Sequence, residues 1–383
     1  MDERVLAERL IATDTSQPDG LRSAAGFVKG WLEARDIDVR EHDYDGLPVL
    51  VADVGAPGGE NGPPTPPTVI LHGHIDVVPA HSEQFEPRIE GDRLIGRGAY
   101  DMKGGLAAMM CAVRDAAAQD RVRVRFVCVP DEESEDVETH AIDWLVREGL
   151  RGDFAITGEP TDLHIGVQAK GVLALRLGVA GTAAHGSTPW LGDNAILKAH
   201  DAFRRIETLP FSRESSDLFD RPSINLARIE GGDAFNKVPD RCEMDVDIRY
   251  LPNQDPGAIL AQIREIPDVV IEKCATWKPA VVSRDNPYVL ALREAARRTA
   301  GVETLSVGRD GASDATTFLE QGIPAVEFGP VGAGHHGPDE WVSVQSLTSY
   351  RHALTDFIAT LPQRLEHPVA APPDLRAVEG GRP

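Results

Sequence analysis

Residues 68–79 read TVILHGHIDVVP, an apolar run that passes without a break into histidines and an acid. Val69, Ile70 and Leu71 in succession, bounded by polar residues, fit a strand buried on both faces, as in a parallel sheet with helices above and below. Such a strand delivers His72, His74 and Asp76 to its carboxyl end, where ligands bind in open α/β sheets. The two-residue period of extended chain puts His74 and Asp76 on one face, so that the carboxylate can orient the imidazole. His74 is therefore a candidate metal ligand, although a lone histidine at a strand end is often only structural.

Three further apolar runs, Val122 to Val129, Phe154 to Thr157 and Ile323 to Phe328, each end in polar residues. Helical patterns lie beside them at Gly105 to Gln119 and Pro287 to Ala300, giving the alternation of an α/β fold with a mostly parallel sheet flanked by helices. The middle of the chain differs. Arg241 to Tyr250 alternates strictly, with Cys242, Met244, Val246, Ile248 and Tyr250 on one face, which marks a strand half exposed to solvent. Strands near 172–179, 223–229 and 268–274 and helices near 193–208 and 256–266 complete the order β-α-β-β-α-β, a ferredoxin-like α+β unit. At 383 residues the chain exceeds the ~250–300 at which one core usually stops growing, so two domains are expected. We place a catalytic domain at 1–168 and 285–383, interrupted by an inserted domain at 169–284. Residues 55–67 (GAPGGENGPPTPP) and 367–383 have the composition of a loop and a frayed tail.

Composition narrows the function. The chain carries 61 Asp and Glu against 39 Lys and Arg, a net charge of −22 that repels phosphate backbones and argues against nucleic acid as a partner. No apolar run approaches the ~18 residues of a membrane span. The start, MDERVLAERL, lacks the apolar stretch of a signal peptide, so a soluble cytoplasmic protein is expected. Cys111, Cys128, Cys242 and Cys274 form no CxxC pair and read as reduced thiols.

Acids gather after the other strands. In GRGAYDMKGG (96–105), Asp101 precedes a helical run rich in Ala, Leu and Met. A dinucleotide fingerprint would need a third glycine where Asp101 stands, while a helix-entry Asp alone is usually a cap. The strand RVRVRFVCV runs into Asp131, Glu132, Glu133, Ser134, Glu135 and Asp136. Glu135, Asp136 and Glu138 read as a solvated face, but adjacent carboxylates at the mouth of a buried strand are tolerated when a cation neutralises them. Glu159 follows DFAIT, and the last strand leads to AGHHGPDEWV with His335 and His336. Histidines and carboxylates at successive strand ends form the mixed N/O ligand set that suits zinc, cobalt or manganese, and together they point to a dinuclear metal site.

The ordered series HGHIDVVP, GRGAYDMKGG, DEE, GEP and HxPDE resembles the metallopeptidase family of acetylornithine deacetylase, succinyl-diaminopimelate desuccinylase, aminoacylase and glutamate carboxypeptidase. The resemblance spans the chain from about residue 5 to residue 362 and includes the inserted domain. It implies two divalent metal ions, zinc foremost with cobalt or manganese as alternatives. It implies that His74 and Glu159 bind one ion, His336 and Glu133 the other, and that Asp101 bridges them. Glu132 matches the family's general base and Asp76 the acid that orients the first histidine. His336 is preferred over His335 because the family places a Glu four residues after its histidine, here Glu340.

The inserted domain resembles the family's lid and dimerisation domain, which implies a homodimer. GTAAHGSTP supplies His185, matched to a residue that polarises the scissile carbonyl, often in the partner subunit's site. GGDAFNKVP places Asn236, and Arg249 falls where the family holds a substrate carboxylate. Gly311 and Ser313 sit in a stretch similar to the family's substrate-carboxylate loop. The plain alternatives are a turn His, a turn Asn, a surface Arg and an ordinary Gly/Ser loop. One departure is SEDVETHAIDWL after the Glu pair, where the family commonly has a Gly-rich turn.

The expected function is metal-dependent hydrolysis of the amide bond of an N-acyl amino acid, of deacetylase or desuccinylase type. Rivals are an exopeptidase or dipeptidase with the same centre, a non-catalytic binding or regulatory relative, for which Glu132 would have no chemical use, and, more distantly, a Rossmann-type oxidoreductase.

Overall fold

The computed structural model describes residues 3–56, 66–134, 139–301, 303–311 and 313–367. Residues 57–65, Glu135, Asp136, Glu138, Ala312 and those from 368 onwards lie outside the described residues, and with them most of the stretches expected as a loop and a frayed tail. The chain divides into two compact units, one drawn from Met1–Val167, Val282–Val307 and Asp314–Leu375, the other from Gln168–Val281 and Gly308–Ser313.

In the first unit four parallel strands form the centre of a mixed sheet, in the order Arg123–Val129, Thr68–His74, Phe154–Thr157 and Ala325–Glu327. Antiparallel neighbours flank them: Leu47–Gly55 and Val39–Tyr44 on one side, Ile165–Ala169 on the other. Val69, Ile70, Leu71, Phe154, Ala155 and Ile156 are all fully buried, which is why these strands read as unbroken apolar runs. The last strand is shorter than its run in the sequence because Pro324 cannot donate to the ladder.

Helix Gly104–Ala116 is buried all round, packed against helices Glu3–Ile11 and Val344–Glu366. Its glycine start is a packing requirement: a Cβ on Gly105 would lie 2.6 Å from the carbonyl oxygen of Gly158. That approach sets the helix entry, with Asp101 just before it, against the turn that carries Glu159. A second small sheet pairs Trp341–Ser343 with Arg93–Ile95, Trp341 opposite Ile95.

The second unit holds an antiparallel sheet in the order Ser223–Gly231, Arg241–Tyr250, Gly171–Ala180 and Val269–Trp277. With helices Ala195–Ile206 and Pro256–Arg264 the chain order is β-α-β-β-α-β. Cys242, Met244, Val246, Ile248 and Tyr250 face the helices and are buried. The other face is polar, with Arg176 and Arg228 both bonded to Asp245. The Asn194 side chain caps the first helix, accepting from the Ile196 N–H at 2.9 Å. Gly308 belongs here because it lies on the Phe219 ring, and Lys170 ion-pairs with Asp310 at 2.7 Å. Among the described residues, no helix is long and apolar enough to cross a membrane.

Candidate metal centre

The strand Thr68–His74 ends on His74 itself, opposite Val129, so that histidine, the Glu132–Glu133 pair and Glu159 leave neighbouring strands at the same end of the sheet. Asp101 arrives among them from the turn before helix Gly104–Ala116.

Asp101 is the centre of the cluster. Its Oδ1 lies 3.1 Å from His74 Nε2, and its Oδ2 lies 3.3 Å from His336 Nε2 and against His335 Nε2. Glu159 Oε1 is 3.6 Å from His74 Nε2, and His336 Nε2 is 3.0 Å from Glu133 Oε1. Three sets of donors each lie within 4.8 Å of one another: His74, Asp101 and Glu159; Asp101, His335 and His336; His74, Glu132 and Glu133. Glu132 Oε2 stands 4.0 Å from His74 Nε2.

Asp76 organises this arrangement. Its carbonyl oxygen and Oδ1 lie 3.1 and 3.3 Å from His74 Nδ1. The carbonyl oxygen is the hydrogen-bond partner of Nδ1, with the carboxylate beside it, which turns Nε2 towards the acids, the orientation a metal ligand requires.

The electrostatics fit a cation. Burial, reinforced by the other acids, pushes Glu132 and Glu159 well above the usual carboxylate range. Burial disfavours the charged form of His74 too, yet hydrogen bonds to Asp101 and Asp76 raise it well above its ordinary value. Bonds to Asp101 and Glu133 raise His336 to about 10. Glu159 Oε1 is buried with no hydrogen-bond partner among the described residues. A cluster that can only neutralise itself by holding protons on imidazoles and glutamates matches the donor chemistry of divalent ions, which would replace those protons.

The structure therefore brings together His74, Asp76, Asp101, Glu132, Glu133, Glu159 and His336. His335, passed over on spacing, is equally within reach of Asp101. His185, Asn236, Arg249, Gly311 and Ser313 belong to the other unit. There the Gly186 N–H donates to the Asn236 carbonyl at 2.7 Å, joining the two motif segments. The Ser187 N–H donates to His185 Nδ1 at 3.2 Å, so the neutral ring carries its proton on Nε2. Arg249 is half-buried and bonded to Asp247 at 2.9 Å. Sequence reasoning did not single out Asp314, a buried acid 3.4 Å from His72 Nε2 that burial pushes up to about 7. It reads in the sequence as part of a Gly/Ser loop. Arg97, whose guanidinium bonds the Glu340 carboxylate and the His336 carbonyl oxygen, lies between two glycines and carries no signal of its own in the sequence.

Residues 70–360 match the family described as Peptidase family M20/M25/M40. The succinyl-diaminopimelate desuccinylase of Leptothrix cholodnii is 30% identical over 381 residues, covering 92% of this chain and 98% of that protein. Among solved structures, a tripeptidase from Staphylococcus aureus superposes with a TM-score of 0.76 at 20% identity, covering 95% of this chain and 99% of its own. An M20 family metallo-carboxypeptidase from Sulfolobus solfataricus gives 0.74 at 20% identity, covering 95% of this chain and 100% of its own. At that identity these two show the fold.

Proposed function

The chain belongs to peptidase family M20/M25/M40, and from that premise we propose that it is a metal-dependent amidohydrolase that cleaves the amide bond of an N-acyl amino acid, of deacetylase or desuccinylase type. The observation that carries the reading is the convergence on Asp101 of two ligand sets, His74 with Glu159 and His336 with Glu133, with Glu132 beside them. The near full-length likeness to a desuccinylase supports the substrate class.

His74, Asp101 and Glu159 would hold one divalent cation, and Asp101, Glu133 and His336 the other. Bound there, two cations supply Lewis-acid polarisation of the amide oxygen and lower the pKa of a shared water. Nitrogen and carboxylate donors suit zinc foremost, and cobalt or manganese. Glu132, assigned to neither cation, takes the water's proton and returns it to the leaving amine. His185, with its proton on Nε2, and Asn236 are the donors for the developing oxyanion. Arg249, Gly311 and Ser313 hold the substrate carboxylate.

The inserted unit serves as lid and dimerisation domain of a homodimer. Its edge strand Ser223–Gly231 and the exposed Trp190, Leu191, Leu197 and Phe235 support that pairing. Four unpaired cysteines suit a reducing cytoplasm.

The test is a panel of N-acetyl, N-succinyl, N-carbamoyl and dipeptide substrates assayed with zinc, cobalt and manganese. Turnover of an N-acyl amino acid is expected to exceed that of every dipeptide. Preference for dipeptides makes the protein a peptidase, and inactivity on the whole panel with metals bound removes the hydrolase reading.

A further inference from the structure

Glu340 lies outside both ligand sets, yet its carboxylate is 1% exposed and accepts four hydrogen bonds that all come from the segment carrying Asp101. Oε1 accepts from the backbone N–H groups of Tyr100 and Asp101, at 2.9 and 3.0 Å. Oε2 accepts from the Gly98 N–H at 3.0 Å and from Arg97 Nη1 at 2.7 Å. Arg97, buried itself, uses its other arm: Nη2 donates to the carbonyl oxygen of His336 at 3.0 Å. His336 sits at φ 56°, in the left-handed region that a residue with a side chain adopts only when its surroundings hold it there. The pairing of Trp341–Ser343 with Arg93–Ile95 already joins the two segments, so these five bonds add control of where two particular residues stand.

We propose that Glu340, with Arg97, is a positioning residue for the second cation, fixing the bridging acid Asp101 against His336. The inference rests on the two-cation reading above. The planar guanidinium presents two nitrogens in a fixed fork, one to each side, which the single nitrogen of an ammonium does not. Ligand geometry must hold to within about 0.5 Å to bind an ion well, and a fourfold-bonded carboxylate in the core meets that demand.

The test is titration of the chelated full-length protein with Co2+ alone, read by calorimetry and by the cobalt absorption spectrum, together with kcat and KM. Glu340→Gln keeps the shape but offers one acceptor oxygen, and its amide nitrogen faces two donors. It is expected to weaken the second ion by about 10–100-fold, the range for groups that support ligands, and the first ion and KM much less. The second ion depends on Asp101 and on His336, which Arg97 ties to Glu340, whereas the first keeps His74 and Glu159. Arg97→Lys is expected to show the same selective loss, and it decides the question alone if Glu340→Gln fails to fold. Two ions bound as tightly as in the unaltered protein, or equal weakening of both, overturns the positioning role and leaves the two-cation reading standing. An unaltered protein that takes one ion overturns both.

Discussion

The Asp76 carboxylate accepts a hydrogen bond from the backbone N–H of Glu133 at 2.7 Å through Oδ2, while its Oδ1 faces His74 Nδ1 at 3.3 Å. One acid thus touches a proposed ligand at the end of one strand and a proposed ligand in the turn after the next. Asp76→Ala removes both carboxylate oxygens and leaves the His74 ring held by the backbone carbonyl of residue 76 alone. We expect metal affinity to fall about 10–100-fold, with turnover falling alongside at limiting metal. Metal titration of the purified variant, compared with turnover at saturating metal, checks this. Unchanged affinity would make Asp76 a purely structural residue.

Because the cluster balances its charge only by holding protons, its activity should depend on bound divalent ions. Exhaustive chelation is expected to abolish hydrolysis, and zinc, cobalt or manganese to restore it. Full activity in demonstrably metal-free protein ends the two-cation mechanism. The same experiment separates the adjacent histidines. Among the described residues His336 faces two acids, Asp101 and Glu133, whereas the acid against His335 is Asp101. His336→Ala should therefore lose more metal than His335→Ala, and equal losses would mean that both imidazoles serve.

What the sequence discloses and what it withholds follow from the range of the interactions. The buried strand Thr68–His74 is legible because its apolar run and its ligands are contiguous, and Asp76 is legible because the strand period relates it to His74. Arg97 and Glu340 are separated by 243 positions, and no local pattern connects them. The choice between His335 and His336 turns on positive φ at Gly334 and His336, which redirects successive side chains in a way that periodicity does not encode. Asp314 reads as part of a Gly/Ser loop, and only its burial against His72 distinguishes it.

The shared-site reading of the inserted unit makes a prediction that needs no interface geometry. Chains carrying His185→Ala and chains carrying Glu132→Ala should each be nearly inactive. Co-refolded into heterodimers, they should recover part of the native activity, since one of the two sites then combines an intact Glu132 with an intact His185 from the neighbour. Recovery is measured on heterodimers isolated through two different tags. No recovery in such material places His185 in its own chain's site or outside catalysis.

The sharpest division of labour is between Glu132 and Glu133. They follow the strand Arg123–Val129 side by side in the turn after it, and both reach towards His74, but their nearest partners differ. Glu133 Oε1 lies 3.0 Å from His336 Nε2, in the company of a proposed ligand, while Glu132 stands 4.0 Å from His74 Nε2 and is the carboxylate to which the proposed mechanism gives proton transfer. Glu132→Gln keeps the volume and hydrogen-bonding reach but removes the base. A general acid/base group contributes about 10²–10⁴-fold, so the variant should lose at least that factor in kcat while retaining both metals and substrate affinity. Glu133→Gln should instead release metal from the second position, and added metal should restore part of its turnover. Metal content, substrate binding and single-turnover rates measured on both variants decide it. If Glu132→Gln loses its metals and Glu133→Gln does not, the two roles are exchanged, and normal turnover in Glu132→Gln removes this residue from the chemistry.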